Sequence, residues 1–182
     1  MAVLRAFSLA LFILLLTAPS HAATPGEYQV KAVFLYNFSR FVEWPETAFA
    51  NPGSPFVVGV FGFDPFGADL EEAVRGESVR GHPLVVRRVR TAAEAANCQI
   101  LFIHHSERDR LPEVLEAVDK RSTLTVSDTD AANQGVMIRF FTQSGRIRMR
   151  IDVDSARAAQ LTISSNLLRS AEIVGSAARE GP

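Results

Sequence analysis

Apolar residues along the chain follow two patterns, one with the period of a helix and one too continuous for it. Val30, Val33, Phe34, Phe38, Phe41 and Val42 recur at spacings of three and four in "GEYQVKAVFLYNFSRFVEW". That spacing predicts an amphipathic helix with this stripe toward a core. Thr24, or Gly26 after Pro25, can open it, and Glu27 suits the positive end of its dipole. Pro45 pushes Trp44 out of helical geometry, so the helix is expected to stop near Glu43. "FVVGVFG" (Phe56 to Gly62) is instead a short apolar run bounded by Pro and Gly, the signature of a buried strand. "GHPLVVRRV", "CQILFIH" and "STLTVSD" predict three more strands. Helical segments lie between them. "DPFGADLEEAVRG" has Phe66, Leu70 and Val74 four residues apart, "TAAEAAN" is short, and "SERDRLPEVLEAVDKR" places Leu111, Val114, Leu115 and Val118 on one face.

Strands that alternate with amphipathic helices predict an α/β fold: a single domain, a largely parallel sheet and helices on both faces. The pattern then changes. "GVMIRFFTQSGRIRMRID" predicts two strands joined at Gln-Ser-Gly, an antiparallel C-terminal hairpin. In its second strand Ile147, Met149, Ile151 and Val153 alternate with Arg146, Arg148, Arg150 and Asp152, giving one apolar and one charged face. A last helical region is expected from about Asp154 to Val174, with Ser164 or Ser165 capping its second half. No internal repeat or low-complexity segment is visible.

Composition narrows the class. With 182 residues, 47% of them hydrophobic, the chain is long and apolar enough for one core without covalent staples. A formal net charge of −1 gives no general attraction to nucleic acid, and none is expected as a partner. The N-terminus reads as a targeting segment. Arg5 precedes the apolar stretch Ala6 to Ala18, and Ser20 and Ala22 have the small-residue spacing of a signal peptidase site. The stretch falls short of the roughly 18 apolar residues that cross a bilayer. Residues 1–22 are therefore expected to be a cleaved signal peptide, with an uncleaved anchor as the alternative, and 23–182 a domain in a bacterial periplasm. Cys98 is the sole cysteine, which excludes an internal disulfide and a cysteine-based zinc cluster. Just ahead of "QILFI", it reads first as a small buried hydrophobe, with a dimer-linking or redox-active thiol as the alternative.

Candidate chemistry is sparse. "GVFGFDPFG" lacks the spacing of a phosphate loop and reads as a turn in which Asp64 caps a helix begun by Pro65. His104 and His105 follow the third strand, at the edge where α/β sheets bind ligands, and Asp64 and Asp128 are expected on the same edge. Two His and two Asp are zinc-ligand types. Adjacent histidines are expected to diverge, however, and no H-x-x-x-H spacing is present, so both read first as solvated loop residues at a candidate ligand or partner surface. No G-x-S-x-G occurs. No catalytic set, cofactor or metal is expected. Arg146, Arg148 and Arg150 share a strand face with Arg139 opposite. They form either a solvated face that discourages edge pairing or a docking surface for an acidic protein. Phe41 and Trp44 leave three roles open: a plug for the core, the wall of a ligand pocket, or a partner surface.

"YQVKAVFLYNFSRFVEWP", then "CQILFI", then "LTVSD" with "GVMIRF", and finally "IDVDSARAAQLTISSNLLRSAEIV" resemble, in that order, the motifs of the YfiR-like family of small periplasmic proteins. The resemblance implies a compact α/β domain that tends to dimerise and acts as a regulator rather than an enzyme. The best understood member of that family restrains an inner-membrane diguanylate cyclase through its periplasmic sensor region. An outer-membrane lipoprotein relieves the restraint, and cyclic di-GMP, adhesion and biofilm follow. Other members occur beside sensor kinases or transport genes. A histidine kinase is thus an alternative partner, and small-ligand binding for a sensor kinase or transporter an alternative role. That best understood member has paired cysteines, whereas Cys98 has no partner, so intramolecular disulfide switching is excluded here.

Overall fold

The chain enters through α1 (Glu27–Phe41), whose N-cap position is Gly26. The structure, a computed structural model, describes residues 26–119, 121–129 and 135–175; the expected signal peptide, Thr24 and Pro25 lie outside them. Helix α1 ends two residues earlier than Pro45 alone would dictate. Val42–Glu43 form a short strand, β1, that pairs antiparallel with β9 (Thr162–Ile163). The face it buries is also rotated from the expected stripe. Lys31, Ala32, Leu35, Phe38 and Ser39 are buried, while Val33 and Phe41 are exposed.

Strands β2 (Phe56–Phe61), β4 (His82–Val89), β5 (Ile100–Ile103), β6 (Leu124–Ser127) and β7 (Ile138–Gln143) lie parallel in the order β4-β2-β5-β6-β7. The short strand β3 (Ser78–Val79) adds antiparallel to β4 at one edge. At the other, β8 (Arg146–Asp152) pairs antiparallel with β7, and β10 (Glu172–Val174) pairs parallel with β8. The expected fold class holds: a mostly parallel sheet with an antiparallel hairpin. Ser144 and Gly145 form the two-residue hairpin turn, both at positive φ (51° and 70°), the conformation that matches strand twist.

Side chains of β2 alternate between two cores. Phe56, Val58 and Val60 face one core with α1, α2 (Asp69–Val74), Trp44 and the C-terminal segment; Val57 and Phe61 face another with α3 (Ala92–Ala95) and α4 (Leu111–Val118). Helices therefore cover both faces. Helix α2 starts later than expected, at Asp69, because Asp64 accepts from the Phe66 N–H in a turn (2.8 Å) instead of capping a helix at Pro65. The expected C-terminal helix is four elements: α5 (Val153–Ala158), β9, α6 (Ser165–Leu168) and β10. Gln160, at φ 60°, ends α5, and β9 and β10 find strand partners that outweigh local helix preference. Ser164 does cap α6, accepting from the Leu167 N–H. Among the described residues no helix is long and apolar enough to cross a membrane.

Candidate functional site

Counted along the chain, the parallel strands stand second, first, third, fourth, fifth. In this doubly wound order the connections change face between the first and third strands, β2 and β5, and ligands bind beyond their carboxyl ends. The residues there are Gly62 and Phe63 after β2, His104 and His105 after β5, and Asp128 after β6. The first two turns of α1 lie over them and contribute Tyr28 and Lys31.

Asp128 is the hub. Its Oδ2 accepts from Lys31 Nζ at 2.7 Å and from the Tyr28 hydroxyl at 2.9 Å; its Oδ1 accepts from the His105 backbone N–H at 2.9 Å. Burial alone would raise its pKa, but the Lys31 ammonium and the Tyr28 hydroxyl outweigh this and hold the carboxyl below its usual range. Lys31 is itself buried. It reaches back one turn to Glu27 Oε1 at 2.6 Å and lies 4.3 Å from the centre of the Tyr28 ring. Burial raises the Tyr28 pKa, and the Asp128 hydrogen bond and charge add to the shift.

The tautomer of His104 follows from proton counting. Tyr28 has one hydroxyl proton and gives it to Asp128, so at 3.2 Å its oxygen must accept from His104 Nε2. Nδ1 is then the acceptor, facing Ser106 N at 3.2 Å and Ser106 Oγ at 2.9 Å. Burial favours this neutral ring and lowers its pKa. Phe63, 60% exposed, stands with its ring 5.1 Å from that of His104. Beside it Gly62 adopts φ 77°, and a side chain there would run into the Glu107 carboxylate, so the turn requires glycine.

The two histidines do not behave as expected. His104 is buried, not solvated, and the adjacent rings do not diverge: their centres are 3.8 Å apart. His105 remains exposed, with Nδ1 3.6 Å from Asp128 Oδ1. His104, His105 and Asp128 each place a ligand atom within 4.8 Å of the others. Asp64 stays outside this cluster, paired with Arg88 at 2.5 Å. Tyr28 and Lys31 escaped sequence reading because a search for apolar spacing passes over them. The signal was present, since Tyr28, Lys31, Leu35 and Phe38 follow one another at three- and four-residue steps.

The remaining candidate residues are scattered. Trp44 is buried, its ring edge-on to Phe56 at 4.8 Å and its indole N–H donating to the Gln99 carbonyl at 3.2 Å. Phe41 is on the outer side of α1 with Val33. On β8, Arg146 and Arg148 are exposed, whereas Arg150 is half-buried. It pairs with Glu172 on β10 at 2.6 Å and lies over Phe141. Arg139 stands directly opposite Arg150 in the ladder.

No curated protein matches the chain. The match to a family is extensive, covering residues 28–172, from the second residue of α1 to the first of β10. This chain belongs to the YfiR/HmsC-like family, DUF4154.

Proposed function

We propose that this protein is a periplasmic regulator that binds the sensor region of an inner-membrane signalling enzyme, most specifically a diguanylate cyclase, and holds it inactive. Family membership across nearly the whole fold carries this reading, because the family consists of regulatory rather than catalytic proteins. The polar cluster at the carboxyl edge fits a binding role. Its polar groups are already engaged within the protein: Asp128 accepts on both oxygens, from Lys31, Tyr28 and the His105 N–H, and His104 is bound on both ring nitrogens, by Tyr28 and Ser106.

Two surfaces suit contact with a partner. Arg146 and Arg148 form no ion pair among the described residues and offer positive charge to an acidic protein. Val33 and Phe41 expose an apolar strip of α1, suited to a second copy of the chain or to the partner. Restraint requires tighter binding to the inactive conformer than to the active one. The experiment is deletion of the gene with measurement of cellular cyclic di-GMP. A rise, reversed by the intact gene, supports the reading. An unchanged level, with unchanged output of neighbouring sensor kinases, rejects it.

A second reading, binding of a small molecule for a sensor kinase or transporter, rests on a cleft of about 440 Å³ lined by Trp44, Phe49, Arg80 and His82, among others. Equilibrium dialysis of the protein against candidate solutes, with retention lost on Arg80→Ala, would distinguish it.

A further inference from the structure

We propose that His104, His105 and Asp128 form a site for one divalent transition-metal ion of the zinc type. Three observations converge on it.

Spacing comes first. A tetrahedral ion with bonds of about 2.1 Å sets its ligand atoms about 3.4 Å apart. His105 Nδ1 and Asp128 Oδ1 already lie 3.6 Å apart, and all three ligand atoms fall within 4.8 Å. The His105 side chain, 58% exposed, is free to take up the remaining adjustment.

Orientation is the second. The buried His104 ring is fixed at Nδ1 by Ser106, which leaves Nε2 to ligate. On ligation the Nε2 proton moves to Nδ1 and is accepted by Ser106 Oγ, so the ring stays neutral, and the Ser106 backbone N–H gives up its bond to Nδ1. A hydrogen bond on the second ring nitrogen is what orients metal-binding histidines generally. The Tyr28 hydroxyl, 3.2 Å from Nε2, moves aside for the ion and retains Asp128 Oδ2 as its acceptor.

Charge is the third. Lys31 stands close by, which would oppose a cation if it were unpaired. It is turned to Oδ2 of Asp128 and is bound by Glu27 as well, so Oδ1, which accepts from the His105 backbone N–H, keeps its second lone pair for the ion. With neutral imidazoles, the group of Glu27, Lys31 and Asp128 carries one net negative charge. Two nitrogens and one oxygen favour zinc, nickel or copper over magnesium or calcium, which prefer all-oxygen sites. Three protein ligands leave the fourth position to water or to a donor from a partner.

The test is calorimetric titration of zinc chloride into the untagged, EDTA-dialysed protein. We expect one equivalent bound. His105→Ala, at an exposed position that leaves the core intact, should weaken affinity by at least about tenfold. His104→Gln should do the same, and magnesium should give no binding. Asp109→Ala should leave zinc affinity unchanged, because that carboxylate is 91% exposed and stands outside the three ligands. Cobalt(II) should give visible tetrahedral bands that His105→Ala removes. Absence of zinc binding, or binding equally tight in His105→Ala, overturns the proposal.

Discussion

Lys31 Nζ lies 2.7 Å from Asp128 Oδ2, with only 3% and 5% of the two side chains reaching water. This pair links the second turn of α1 to the end of β6, across 97 residues of chain. Buried ion pairs add little net stability over apolar substitutes of the same shape, but removing one partner strands the other charge.

Asp128→Ala should therefore cost about 3–5 kcal/mol of unfolding free energy. Glu27, half in solvent, cannot replace the lost carboxylate. The double variant Lys31→Met with Asp128→Leu should recover most of the loss. Urea denaturation of the three proteins checks this. A loss in Asp128→Ala no larger than that of an exposed site would show that the ammonium finds water in the folded state.

Trp44 and Phe41 are three residues apart and predict opposite outcomes. Trp44→Ala removes a buried ring and a hydrogen bond to the Gln99 carbonyl, and should cost about 3–5 kcal/mol in a denaturant melt. Phe41→Ala, at 37% exposure, should cost about 1 kcal/mol or less. Light scattering on the Phe41 variant then tests the expected dimer: a shift toward monomer mass assigns the outer face of α1 to self-association, and an unchanged mass removes it.

The contrast shows what was legible in the sequence. The strands were, because β2, β5 and β6 are buried on both sides and read as unbroken apolar runs. Orientation of α1 was not. A count of apolar spacing chose Val33 and Phe41, which are exposed, and passed over Lys31 and Ser39, which are buried through side-chain hydrogen bonds. Nor were the C-terminal elements legible, since β9 exists only against β1 and β10 only against β8, each strand two or three residues long. The carboxyl edge was foreseen as the place of His104, His105, Asp64 and Asp128, of which Asp64 pairs with Arg88 instead and the other three meet. Their convergence depends on contacts from α1, which local sequence does not encode.

Gly59 sits in the middle of β2 with Cys98 directly beside it. A methyl group there would come within 2.5 Å of Cys98 Sγ and within 3.1 Å of Leu101 and Val89 side-chain carbons. Gly59→Ala should lose about 1–3 kcal/mol through overpacking. Adding Cys98→Gly should return part of that loss, because it removes the nearest obstacle. A double-mutant cycle on unfolding free energies measures the coupling. Strict additivity would mean that the strand backbone, not the thiol, absorbs the strain.

Burial pushes the Cys98 thiol up to about 12, with the nearby Arg87 opposing and Glu94 reinforcing the shift. The reactive thiolate is therefore scarce at neutral pH. Iodoacetamide should leave the folded protein unlabelled over hours at pH 7.5 and label it rapidly in urea. Native labelling should climb steadily with pH through 10 without levelling off. Mass spectrometry of quenched samples follows both. A plateau near pH 8.5 would indicate an ordinary, accessible thiol and reopen a redox role for Cys98.

The arginines of β8 divide by environment. Arg150 donates from Nε and Nη2 to Glu172 Oε2, and so fastens β10 to the sheet edge. Arg150→Ala should loosen β10 and cost about 1 kcal/mol, a modest value because each side chain is 37% exposed. Arg146 and Arg148 point to solvent from a strand whose other face is core. Reversing both to Glu should leave stability within about 0.5 kcal/mol of the parent. If the protein restrains its enzyme through an acidic surface, the same reversal should abolish complementation of the deletion strain and leave cyclic di-GMP high. A protein with Arg146→Glu and Arg148→Glu that folds normally and still restores the low level would move the contact off this face. The outer strip of α1 would then be the next surface to test, since it is the exposed apolar alternative on the opposite side of the first core.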